Sequence, residues 1–207
     1  MIASAARLLL VFATAFLAAP ALAHHVMGGQ TPVTFADGLL SGIGHPIIGL
    51  DHLAAVIAVG GLAATQSRGE WLGLGYVLAT MVGAAAHIGE ATVQGSEIFV
   101  AVSVVALGLM LLRSRPWRMD IAIALFGFTG LVHGYALGES IAGAERAPLF
   151  AYFIGLALIQ SAVLFAALFG ARIFAAHWAA ISVTRALGAC IAGIGLAVLA
   201  QQLFFAA

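Results

Sequence analysis

Six apolar runs separated by short polar punctuations dominate the chain: Asp37–Ala64, Trp71–Ala91, Ile98–Leu112, Asp120–Gly138, Leu149–Gly170 and Thr184–Phe205. Most reach the roughly 20 residues that a helix needs to cross a hydrocarbon core. They are built from Ala, Leu, Gly and Ile and do not alternate with period two, so they read as helices and not as strands of a membrane barrel. Only 8% of the residues are charged and none of the basic ones is Lys, against about a quarter charged in a soluble domain. That balance excludes a soluble enzyme, a disordered chain and a nucleic-acid binder, which needs a basic face. The single Cys190 excludes an intrachain disulfide framework and a Cys-rich metal site. The expected fold is all-α, a polytopic membrane helical bundle of about six transmembrane helices with the lipid bilayer as its first partner.

The N-terminus reads as a secretory signal. Arg7 gives a positive start, Leu8 to Ala19 an apolar segment, and Ala21-Leu22-Ala23 a small-residue cleavage site. Residues 1–23 are thus expected to be removed, leaving 24–207 as one membrane domain that begins His24-His25. With that end outside, Arg68, Arg113, Arg115, Arg118, Arg172 and Arg185 fall in cytoplasmic loops and only Arg146 in an outer one. This satisfies the positive-inside rule and places the chain in a bacterial inner membrane with a periplasmic N-terminus. The first run is too long for one straight span, at about 42 Å against a core of about 30 Å. Pro46 predicts a break just before itself. The spanning helix would then be Pro46–Ala64, with a re-entrant lead-in over residues 35–44 and His45 at the break.

Ionisable groups inside spans are costly and usually functional. Here they are His45, Asp51 and His52 in the first span, His87 and Glu90 in the second, and His133 in the fourth, with Glu97 and Glu139 at span ends. In the orientation above, all lie in the outer third of the membrane. Imidazole with carboxylate suits nickel, cobalt, zinc or copper better than calcium or magnesium. His45, Asp51, His52 and His133 therefore read as a metal or proton site, with Asp51 either a ligand or a partner that orients an imidazole. His87 shares their depth. A mature N-terminal His24 would add its α-amino group and imidazole, with His25 beside them, as a capture site on the outer side. The inner halves of the spans offer little to a moving ion: Gln160, Ser161 and Thr80 are the only candidates.

The segment His45-Pro46-Ile47-Ile48-Gly49-Leu50-Asp51-His52-Leu53, followed by Ala58-Val59-Gly60-Gly61, resembles the first-span signature of the HupE/UreJ family. So do Glu97-Ile98 leading to Ser103-Val104-Val105-Ala106-Leu107-Gly108, and Val132-His133-Gly134-Tyr135-Ala136-Leu137-Gly138-Glu139, which resembles the second signature. The resemblance covers essentially the whole chain. It implies a nickel or cobalt permease, or a membrane accessory protein for hydrogenase or urease, with His45, Asp51, His52, His133 and Glu139 handling the metal. The second signature departs from the family pattern. Leu137 stands where a second His is usual, Val132 where a Phe is usual, and Glu139 comes one position early. His87 is the residue expected to make good the missing imidazole.

Three function classes follow. A secondary permease would import Ni²⁺ or Co²⁺. An accessory factor would bind the metal without moving it, with metalloenzyme maturation proteins or a second copy of the chain as partners. A membrane metalloenzyme is disfavoured, because diiron membrane enzymes need many more histidines. No tightly bound cofactor is expected; the metal is cargo.

Overall fold

The computed structural model describes residues 30–113, 116–175 and 180–204, so the expected signal peptide, the expected cleavage point and His24 lie outside the described residues. Among those described, every regular element is helical: α1 (Phe35–Ile48), α2 (Leu50–Ala63), α3 (Gly69–Ile88), α4 (Ser96–Arg113), α5 (Met119–Gly138), a 3₁₀ turn (Glu139–Ile141), α6 (Arg146–Phe174) and α7 (Ala180–Phe204). Five of the helices are long and apolar enough to cross a membrane, and α1 and α2, joined at a sharp break, pass the same test together. The protein is a multi-pass membrane helical bundle.

The bent span differs from its expected form. Thr34 opens α1 with a reciprocal cap: its hydroxyl accepts from the Asp37 N–H and the Asp37 carboxylate accepts from the Thr34 N–H. The helix then runs through Pro46 and stops at Ile48, and the α1 and α2 axes meet at 77°. The break therefore falls at Gly49 and not before Pro46, and residues 35–44 are regular helix. The proline ring holds a φ that helices use, so it removes one hydrogen bond without ending α1. Gly49 ends it in an extended conformation (φ −71°, ψ 98°). Its N–H bonds back to the His45 carbonyl at 2.9 Å, and its own carbonyl accepts from Leu53 at 2.9 Å. One residue thus closes α1 and opens α2. Each half is 14 residues, about 21 Å, too short to span alone.

The helices pair as α3 on α5, α4 on α7 and α1 on α6, while α2 runs through the middle against α6, α4, α7 and α3. Its composition suits that place: eleven of its fourteen residues are buried, mostly Ala, Val and Gly. In the α3–α5 pair, a Cβ on Gly83 would overlap the Leu131 carbonyl and one on Gly134 the Thr80 carbonyl. Only glycine permits that backbone approach, the usual way membrane helices gain contact. The outside is apolar, with Leu78, Phe150, Leu158 and Ile173 exposed, whereas Ser41, His45, Asp51, His52, Thr80, Ser103, Thr129, His133 and Gln160 are buried. Lipid outside and polar groups within is the arrangement a hydrocarbon solvent selects.

Because the long helices alternate in direction, Arg68, Arg113, Arg118 and Arg172 gather at one end of the bundle and Glu97, Glu139 and Glu145 at the other. At the arginine end, Arg172 of α6 forms an ion pair with Glu70 of α3.

Candidate metal centre

At the end opposite Arg68, Arg113, Arg118 and Arg172 the bend turns three imidazoles into a row. His45 sits in the last turn of α1, His52 in the first turn of α2, and His133 on α5 one turn from its end. Along one straight helix, seven residues would separate His45 from His52 by about 10.5 Å of rise. Across the break their ring centroids are 5.9 Å apart, and those of His52 and His133 are 5.0 Å apart. All three are at most 4% exposed.

The hydrogen bonds fix which nitrogens are used. Ser103 of α4 donates its single hydroxyl proton to the Val100 carbonyl at 2.8 Å. Its oxygen is then the acceptor in the 2.9 Å contact with His133 Nε2, so that nitrogen carries the proton. A neutral His133 must accept at Nδ1, and the proton in the 2.8 Å contact between the two Nδ1 atoms comes from His52. His52 thus turns Nδ1 toward His133, and its Nε2 takes no part in that bond. Ser103 opens a segment that resembles the family signature, but nothing in the apolar run around it marks its hydroxyl as a histidine's partner.

Carboxylates surround the row. Asp51 lies beside His52 in the first turn of α2, where the helix dipole favours negative charge, and its Oδ1 accepts from the His52 N–H at 2.9 Å. Glu97, in the first turn of α4, lies within electrostatic range of His52, Asp51 and Glu139. Glu139 caps α5 and is exposed at the rim. The sequence placed Glu97 at this mouth but left it out of the ligand set; the structure brings it to the site.

Two other residues stand differently. His87 packs its ring on Tyr135, centroids 4.6 Å apart, and the Tyr135 hydroxyl holds the α3–α4 loop by bonding Ala91 and Val93. Among the described residues, the ring contacts joining His45, His52 and His133 do not extend to His87. Leu137, where the related signature has a histidine, is fully buried in an apolar cluster with Ile141, Tyr152 and Leu156. That position has become core.

No three His, Cys, Asp or Glu side chains among the described residues are arranged to hold a metal ion at once. His52 and His133 spend their facing nitrogens on each other. The site presents a buried imidazole row within an acidic field rather than a closed cage, an arrangement suited to a cation that comes and goes. Replacing Ser103 by Ala is expected to release both tautomers and weaken Co²⁺ binding about tenfold, in the range found on removing an imidazole's hydrogen-bond partner. Ser103→Thr should restore it. Titrating purified protein with Co²⁺ and following visible absorbance measures both.

The chain is 32% identical to Protein HupE of Rhizobium leguminosarum bv. viciae over 126 residues, 60% of this chain and 63% of that relative. The matched part thus spans less than two thirds of the relative's length. No solved structure matches the chain. The family model described as HupE / UreJ protein matches residues 11–198, from before the bent span to within the last helix. With both signatures inside that range, the chain belongs to the HupE / UreJ protein family.

Proposed function

We propose that the protein binds Ni²⁺ or Co²⁺ from the periplasm at the imidazole row and carries it across the bacterial inner membrane. The observation that carries this reading is the row itself, in which His52 turns Nδ1 to His133 and stands next to Asp51 and within electrostatic range of Glu97. Imidazole nitrogen favours late first-row divalent metals, and the carboxylates supply the compensating charge. In this reading Glu97 and Glu139 draw the cation to the mouth. His52 binds it first, His45 adds a second nitrogen across the bend, and Asp51 balances the charge. Binding needs neutral imidazoles, so uptake weakens as the pH falls into the imidazole range. A cleaved N-terminus beginning at His24 would add a chelating amine and imidazole above the mouth. The reading is tested by Ni²⁺ and Co²⁺ uptake into proteoliposomes holding the purified chain. Uptake above that of protein-free vesicles is expected; binding without uptake would instead assign an accessory role in metalloenzyme maturation.

The arginine distribution supports a histidine end that faces the periplasm. In a background with the exposed Cys190 replaced by Ser, Ala142→Cys is expected to react with an impermeant thiol reagent applied outside. Ser67→Cys should react only after the membrane is opened. The reverse pattern would invert the topology.

A further inference from the structure

Two apolar clusters fill the bundle. A small one at the histidine end holds Leu137, Ile141, Tyr152 and Leu156; a larger one toward the arginine end includes Val56, Leu107, Leu164 and Leu168. On α6, Gln160 falls between Leu156 of the first and Leu164 of the second, in a stripe otherwise apolar over these turns. It is 1% exposed, and among the described residues neither its Oε1 nor its Nε2 has a hydrogen-bond partner. The Thr129 hydroxyl, fully buried one turn inward of His133 on the same face of α5, likewise has none.

These groups share a level. Leu164, one turn on from Gln160, packs against Gly73 of α3. The next turn of α3 carries the fully buried Tyr76. Gly130, adjacent to Thr129, packs against the Tyr76 carbonyl and Thr80. Asp51 acts electrostatically on Tyr76, which ties this level to the imidazole row above it. A buried amide with both atoms unpartnered is destabilising in apolar surroundings, and Leu would fill the same place in the stripe without that cost. The polar atoms here are neutral oxygens and one amide nitrogen. Neutral oxygens interact weakly with a divalent cation that keeps part of its water, which suits a place an ion must also leave.

We propose that Gln160, with the hydroxyls of Thr129 and Tyr76, forms an inner transit station that receives a partly hydrated divalent cation from the imidazole row. The proposal rests on the transport reading above. It is tested with Co²⁺ as the probe, by binding to purified protein in detergent and by uptake into proteoliposomes. Gln160→Leu is expected to leave Co²⁺ binding and its visible spectrum unchanged, to lower uptake about tenfold, and to leave the thermal midpoint at or above that of the wild type. Thr129→Val, nearly the same shape, should also slow uptake without loss of binding. Wild-type uptake by Gln160→Leu would overturn the station. So would an uptake loss that merely follows a loss of binding, or a lowered thermal midpoint in Gln160→Leu combined with wild-type uptake by Thr129→Val. Wild-type protein that binds Co²⁺ but transports none would remove the transport reading itself, an outcome read before any variant is compared.

Discussion

Replacing His52 by Ala is expected to reduce metal uptake to the background of vesicles without protein, a loss of at least about 100-fold, or about 2.7 kcal/mol of transition-state stabilisation. His52 is the middle ring of the row. Its removal takes away the last imidazole of the Ser103–His133–His52 chain and strips His133 Nδ1 of its donor. Among the described residues, the ring contacts of His45 and of His133 in the row both run to His52, and the substitution removes both. The folded bundle should survive. Ala is at home in α2, whose neighbouring buried residues are Ala54 and Ala55, and the six spans do not depend on this ring. Uptake, membrane abundance and Co²⁺ binding measured together check the claim. Wild-type uptake by a variant of normal abundance rejects His52 as the principal ligand.

A second large effect is expected at Gly49. A Cβ there would stand 2.8 Å from the His52 Cδ2 and 3.3 Å from the Asp51 Oδ1. The backbone angles at Gly49 are open to any residue, so the constraint is space beside the ring and not conformation. Gly49→Val should therefore push His52 out of line with His133 and lower Co²⁺ affinity and uptake by about tenfold or more, while the protein still inserts. Gly75→Ala is the matched control. Nothing lies within 4 Å of a Cβ at that position, and Ala in a helix interior favours the helix by about 0.5–1 kcal/mol over Gly. It should leave uptake unchanged. Equal behaviour of the two variants would show that the close approach to His52 has no functional weight.

The spans were legible because the hydrocarbon core demands apolar length and little else: the run Asp120–Gly138 became Met119–Gly138, and Ile98–Leu112 became Ser96–Arg113. The bend was legible as an excess of length but misplaced by four residues. A proline fits within a helix that has other reasons to continue, and α1 is held along α6 by tertiary packing that no local rule contains. The meeting of His45, His52 and His133 followed from their common depth. The nitrogen that each would use did not, because it depends on one serine proton on a different helix. His87 matched the others in depth, yet its ring lies on Tyr135: depth fixes a level in the bundle, and only packing fixes the face.

The pairing of α1 with α6 has a consequence for how the protein is made. Gly42 of α1 rests against Tyr152 of α6, residues 110 positions apart. At the usual pace of synthesis, α6 leaves the ribosome on the order of ten seconds after α1. During that interval the bent segment, with two carboxylates and two imidazoles, lacks the helix that holds it, and neither half is long enough to lodge stably in lipid alone. Biogenesis must shelter the first span until the fifth arrives. A chain cut off before α6 therefore lacks the surface against which its first span packs.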